Sequence, residues 1–174
     1  FMAAWSPDEM KWNLFSRGGD LICQVDLPGN ACQHDELHDT PGDPSPYGIA
    51  GWTEDDRNLL IYDRFDIWSV NTGRPGSPVN LTNGIGRSDN IRFRYVKTDP
   101  EEEFIPAGEP MLLSAFGFKT RQAGFFSVRP FSKADPSMLI FEKAVFQGGV
   151  TKAKNSDMAI WRKETVDVSP EIYV

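Results

Sequence analysis

Four residues able to hold a metal or act on a carbonyl cluster early in the chain: Cys23, Cys32, His34 and His38. Their spacing, Cys-x8-Cys-x-His-x3-His, supplies four zinc-capable donors, but closed zinc sites commonly pair their cysteines two to four residues apart. A disulfide across the turn Pro28–Gly29–Asn30 is a second reading and needs an oxidising compartment; two free thiols are the default. The same two histidines are the only ones in the chain. They precede almost every serine, and the nucleophile elbow Gly-x-Ser-x-Gly does not occur, so no serine, acid and histidine follow one another in the order of an α/β-hydrolase. No catalytic, cofactor-binding or metal-ligating residue is assigned, and no cofactor is expected.

The carboxylates give a similar result. Glu101–Glu102–Glu103 follows Asp99–Pro100, a turn signal, and reads as a solvated loop between strands. Asp55, Asp56, Asp63 and Asp66 crowd one stretch, and Asp63-Arg64 at a hairpin turn with Asp66 beyond it suggests an ion-paired corner; Ca²⁺ needs more converging oxygens than a hairpin offers. Asn80-Leu81-Thr82 has the form of a glycosylation acceptor but falls in an expected strand. Arg92 and Arg94, two apart in IRFRYV, form the nearest thing to a basic stripe and read as a solvated or ion-paired strand face. His38–Gly48 is a turn-rich connection that reads as a crossover between units.

The elements that must position these residues are short strands. The 174 residues, 40% hydrophobic with a net charge of -7, fall in the globular range and make one unit, 1–174. Scattered basic residues under an acidic balance argue against nucleic acid, and no run approaches the ~18 apolar residues of a membrane span. β-Branched or aromatic runs bounded by turn residues recur at Asp20–Asp26, Leu59–Tyr62, Phe65–Val70, Ile91–Lys97, Met111–Phe116, Gly124–Val128, Met138–Glu142, Asp157–Arg162 and Glu171–Val174. The best helical candidate, around Glu142–Phe146, is too short, so the expected class is all-β.

Internal similarity sharpens that class. AAWSPDEMKWNLFSRGGDLICQVDLPG from Ala3 lies over AGWTEDDRNLLIYDRFDIWSVNTG from Ala50, matching Trp5 with Trp52 and Asp20-Leu21-Ile22 with Asp66-Ile67-Trp68. Later units keep the strand-connector-strand ending, and Pro78–Thr82 and Ser137–Glu142 follow as outer strands would. Repeats at about 1–34, 47–83, 91–142 and 150–174 predict a partial β-propeller of about three to four antiparallel blade-like units, with the tryptophans filling the space between neighbours. Phe65–Val70 is expected to pair with Asn58–Tyr62 across a two-residue turn at Asp63–Arg64. A two-layer β-sandwich is the rival architecture.

The segments DELHDTPGDPSPYGIAGWTEDDRNLLIYDRFDIWSV, PVNLTNGIGRSDNIRFRYVKTDPEEEFI, PMLLSAFGFKTRQAGFF and KAKNSDMAIWRKETVDVSPEIYV resemble the β-propeller portion of serine peptidases. The family is that of the prolyl oligopeptidases and dipeptidyl peptidases, in a Bacteroidetes-type form with TolB-like blades. The likeness is densest from Asp35 onward. It implies a secreted or periplasmic parent in which a propeller of seven or eight blades covers an α/β-hydrolase domain and admits peptide substrate. Phe1 at the start and the repeat count suggest that this chain is an internal propeller segment, not catalytic alone, whose partners are the missing blades, that hydrolase domain and the parent's peptide. The paired glutamates of dipeptidyl peptidases are not carried onto Glu101–Glu103, because that pair projects from a helical insertion. Uncovered end blades imply self-association. The alternative is a free-standing all-β module for protein or glycan binding; a small carbohydrate-active enzyme has no acid pair to support it.

Overall fold

The computed structural model describes residues 1–156 and 158–174, with the backbone alone for Asp55 and Gly148. It is all-β, with four antiparallel sheets in chain order. Sheet I holds β1 (Met2–Ser6), β2 (Lys11–Phe15) and β3 (Leu21–Gln24). Sheet II holds β4 (Ile49–Trp52), β5 (Asn58–Tyr62), β6 (Ile67–Asn71) and β7 (Val79–Asn80). Sheet III holds β8 (Ile91–Tyr95), β9 (Met111–Gly117), β10 (Ala123–Val128) and β11 (Ser137–Glu142), and sheet IV holds β12 (Val145–Lys152), β13 (Ala159–Glu164) and β14 (Glu171–Tyr173). In each sheet every strand pairs with the one before it, as short connections dictate. No sheet among the described residues closes on itself.

Side-chain periodicity explains how the sheets stack. In β9 the odd positions Met111, Leu113, Ala115 and Gly117 are buried and the even ones half-buried, the period of two that a strand imposes. In β5 every residue from Leu59 to Tyr62 is buried, so both faces of sheet II are covered. Leu59 and Ile61, with Trp68 and Val70 of β6, pack against Ala3, Trp12, Cys23 and Leu27 from the sheet I side. Leu60, Tyr62 and Ile67 face the other way, onto Phe93, Met111, Leu113, Ala115, Phe126 and Val128 of sheet III. Sheet III then meets sheet IV through Phe125, whose ring lies 5.1 Å from Phe146 and 6.3 Å from Trp161.

A two-layer sandwich gives each sheet one buried face. Here sheet II has two, and its fully buried Leu59, Leu60, Ile61, Ile67 and Val70 each contribute roughly 1.5–3 kcal/mol, so this sheet anchors the molecule. Trp5 and Trp52 sit in the first strands of sheets I and II. Trp52 packs against the cluster between those sheets, while Trp5 meets Trp12 edge-on at 5.5 Å.

Several boundaries differ from the sequence reading. The β5–β6 connection spans Asp63–Asp66, not two residues, because the Asp63 amide donates to the Asp66 carbonyl and the Asp63 side chain closes the turn from within. Strands β1, β4 and β12 had no clear signal: β4 carries Gly51, and β12 carries two glycines and a bulge between Gln147 and Val150. The Glu142–Phe146 segment holds the short connection from β11 of sheet III to β12 of sheet IV. Asp157, where a strand was expected to begin, lies outside the described residues, and β13 starts at Ala159. One short helix, α1 (Ile85–Asp89), joins sheets II and III where only a turn was expected.

Candidate functional site

The turn Asp63–Asp66 is the polar hub of the molecule. Asp63 is fully buried, and its Oδ1 accepts the amides of Phe65 at 2.7 Å and Asp66 at 2.5 Å. This is the local side-chain-to-backbone bonding that makes Asp a turn residue. Its Oδ2 faces Arg87 Nη2 at 3.2 Å. Asp66 is also buried; its carboxylate accepts the Thr82 hydroxyl at 2.6 Å and the α1 amides of Gly86 at 3.0 Å and Arg87 at 3.1 Å. Those amides are first-turn donors with no partner inside the helix, so the carboxylate fixes α1 to the turn. Burial, then the neighbouring Asp63 charge, raises the Asp66 pKa against the lowering effect of these hydrogen bonds.

Arg87 completes the hub by gripping Glu36 of the β3–β4 connection, the crossover between sheets I and II, with Nη2 at 2.5 Å and Nη1 at 3.4 Å from its two oxygens. The expected ion-paired corner is therefore built differently: the partner of Asp63 is Arg87, 24 residues away, and not the adjacent Arg64. Asp56 pairs instead with Arg17 at 3.0 Å, and the Asp55 side chain lies outside the described residues. Thr82 is fully buried in this network, which places the Asn80-Leu81-Thr82 acceptor inside the fold.

On the other side of the same turn lies a recess of about 350 Å³ lined by Asp35, Leu37, Tyr47, Arg64, Arg92, Arg94 and Phe118, among others. Arg64 lies over Phe65 at 5.0 Å and Phe118 at 5.4 Å, with Glu36 no closer than 3.8 Å. Arg92 lies 5.8 Å from both Phe116 and Phe118. Arg94 sits 4.4 Å over the Tyr62 ring and donates to the backbone carbonyls of Phe93 at 2.7 Å, Asp63 at 3.1 Å and Arg64 at 3.5 Å. The IRFRYV pair is thus split: Arg92 is exposed to solvent, as expected, whereas Arg94 is neither solvated nor ion-paired. Arg94 is partly covered, and among the described residues no carboxylate oxygen lies within 4.0 Å of Arg92 or Arg94. Burial, with Arg92 adding to it, pushes the Arg94 pKa down to about 10, so the group is still charged at neutral pH.

The crossover that supplies one wall is tied into a closed loop. His34 bridges Pro46, and the Asp35 and Tyr47 amides donate to the carbonyls of Ser45 and Gln33 at 2.9 and 2.8 Å. Tyr47 OH donates to Asp35 Oδ1 at 3.5 Å and accepts the Glu36 amide at 2.8 Å.

A second cleft of about 420 Å³ lies between sheets III and IV, lined by Tyr95, Glu102, Glu109, Met111 and Lys152, among others. The three glutamates before it diverge: Glu102 accepts the Tyr95 hydroxyl at 2.7 Å, whereas Glu101 makes only an exposed contact with Lys154 at 3.3 Å. Burial and Glu102 together raise the Tyr95 pKa.

The early cysteines and histidines do not assemble. Cys23 and Cys32 are free thiols; Cys32 Sγ donates to the His34 carbonyl at 3.4 Å, and burial followed by Glu36 pushes its pKa up to about 11. His38 Nε2 meets the Gly42 carbonyl at 3.0 Å. Among the described residues, no three His, Cys, Asp or Glu side chains converge where a cation would sit, and no helix is long and apolar enough to cross a membrane. The arginine recess escaped the sequence reading because its members come from a turn, a strand and a crossover. The one local signal, Arg-x-Arg on β8, does not say what the side chains meet. Compared with protein-family models, curated proteins and solved structures, the chain matches none of them.

Proposed function

We propose that the four sheets are consecutive blades of a β-propeller. On this reading the chain is the non-catalytic propeller segment of a secreted or periplasmic serine peptidase of the prolyl oligopeptidase family. Its role is to gate or position peptide for a hydrolase domain outside this chain. The observation that supports this best is the stacking: four meander sheets in chain order, with sheet II buried on both faces by its neighbours. A blade of a propeller requires that arrangement, because one twisted sheet cannot cover its own two apolar faces. The family and its chemistry rest on the sequence resemblance.

The end sheets fit the same reading. Sheet IV leaves Ile160 and Ile172 exposed on its outer face, and sheet I leaves Met2 and Leu21 exposed, which further blades would cover. The test is twofold. The isolated chain is expected to leave dipeptide and prolyl chromogenic substrates intact, and serine-inhibitor-sensitive turnover would refute the assignment. A coding sequence that continues into a domain bearing Gly-x-Ser-x-Gly supports it, whereas one without such a domain favours a free-standing interaction module.

A further inference from the structure

We propose that the recess bounded by Arg64, Arg92 and Arg94 is a binding site for a carboxylate carried by a peptide, either an acidic side chain or a chain terminus. This inference stands apart from the peptidase reading, since it requires only that the recess meet a peptide.

The first reason is an imbalance of charge. Buried or half-buried arginines are normally paired, because removing a cation from water without a counter-charge is costly. Arg87, one turn away, obeys that rule with two carboxylates, Glu36 and Asp63. Arg94 does not: its partners among the described residues are three carbonyl oxygens and the rings of Tyr62 and Tyr47. Arg92, exposed, lies over the rings of Phe116 and Phe118 and has no carboxylate partner among the described residues. An exposed arginine needs no internal partner, so in a chain of net charge -7 it is the half-buried, unpaired Arg94 that is out of keeping with its surroundings.

The second reason is that the guanidinium groups are held ready. Arg64 and Arg92 both lie on Phe118, and Arg94 is fixed by the carbonyls of the hub turn. Ring stacking orients a guanidinium while leaving its edge N–H groups free, and those forks match a planar carboxylate. Nε of Arg94 has no acceptor among the described residues.

The third reason concerns the class of anion. A volume of about 350 Å³ takes one or two side chains, and Leu37, Pro46 and Phe118 supply apolar wall beside the cations, as a peptide residue would need. Asp35 in the lining and Glu36 close by disfavour a multiply charged phosphate, and the acidic chain as a whole repels polyanions.

The experiment titrates the full chain with three blocked peptides, followed by calorimetry. Acetyl-Glu-Phe-Glu-amide carries side-chain carboxylates only, acetyl-Gln-Phe-Gln-acid a terminal one only, and acetyl-Gln-Phe-Gln-amide none. At least one charged peptide is expected to bind more tightly than the neutral one by about tenfold, the size of a charge-assisted hydrogen bond in a partly dry site. Which charged peptide wins identifies the source of the carboxylate. Arg94→Gln and Arg92→Gln should each abolish most of that preference, while Arg129→Gln, outside the recess, should keep it. Arg92 is exposed, so its variant tests the site even if loss of Arg94 loosens the hub turn. Equal binding of all three peptides overturns the proposal, as does an unchanged preference in Arg92→Gln. So does displacement of the charged peptide by inorganic phosphate at lower concentration than by glutarate.

Discussion

Replacing Asp63 separates two jobs that one carboxylate does. Asp63→Asn keeps an Oδ1 acceptor for the amides of Phe65 and Asp66 but removes the charge facing Arg87. Breaking a buried pair costs about 3–5 kcal/mol when a charge is left stranded, but Arg87 retains Glu36 and is 31% exposed, so about 1–2 kcal/mol is expected. Asp63→Ala loses the two backbone hydrogen bonds as well, each about 1.5–3 kcal/mol for a charged acceptor, so its total is about 4–8 kcal/mol. For a chain of this length each kcal/mol lowers the melting temperature by about 2–4 °C, which spaces the two variants well apart in scanning calorimetry. A cycle of Asp63→Asn with Arg87→Met should show coupling of about 1 kcal/mol, as expected for charges in direct contact. Equal losses for Asn and Ala would refute the role given to the turn amides. Negligible coupling would refute the ion pair.

Other outcomes follow from the same geometry. A Cβ on Gly86 would stand 2.9 Å from the carbonyl oxygens of both Phe65 and Ile91 and 2.6 Å from Asp66 Oδ1, so Gly86→Ala should cost about 2–3 kcal/mol by overpacking. Calorimetry showing no loss would mean that α1 shifts freely. The raised Asp66 pKa means that the native state holds this proton more tightly than the unfolded chain. Its contribution is therefore full below the unfolded value of 3.8 and is lost as pH rises through the native one. Asp66→Asn should gain on the wild type across that window in denaturant titrations, and a constant difference would count against the shift. With its thiol near 11, Cys32 should alkylate with iodoacetamide at neutral pH far more slowly than a free cysteine, and rapid labelling by mass spectrometry would contradict its burial. Exposed Ile160, Ile172, Met2 and Leu21 on the end sheets predict self-association, which light scattering reads directly; a strict monomer at high concentration would oppose it.

What the sequence shows of this fold is what depends on neighbours in the chain. The continuous apolar run Leu59–Tyr62 points to a strand covered on both sides before any contact is known, whereas the burial alternation of Met111–Gly117 cannot be read from a segment whose half-buried positions include Leu112 and Phe116. The Trp5–Trp52 correspondence finds the first strands of two sheets even though β1 and β4 lack strand-like composition. The pairings that build the hub are invisible by comparison. Glu36, Asp63 and Arg87 are separated by at least 24 residues, and only the stacking of sheets brings them together. Charge patterning along a strand reports Arg92 and Arg94 correctly as neighbours, Arg92 correctly as solvated and Arg94 wrongly so, because period two says which face a residue occupies and not what that face meets.

The contrast between Arg87 and Arg94 shows why the hub and the recess belong to one device. Both guanidinium groups approach the Asp63–Asp66 turn, one at its carboxylate and the other at its carbonyls. Burial lowers the pKa of each; for Arg87 the hydrogen bonds and charges of Glu36 and Asp63 more than reverse this, and for Arg94 the more distant Tyr62 and Asp63 do not. The acids of the turn are thus committed to fixing α1 and the crossover. Arg92 and Arg94 on its far side meet rings and backbone and are not neutralised by a carboxylate among the described residues. Neutralising Arg94 internally, by Leu37→Glu on the crossover wall, should raise stability or leave it unchanged while abolishing the preference for a charged peptide. A variant that gains the internal acid and still prefers the charged peptide would show that the missing counter-charge is not what the recess recognises.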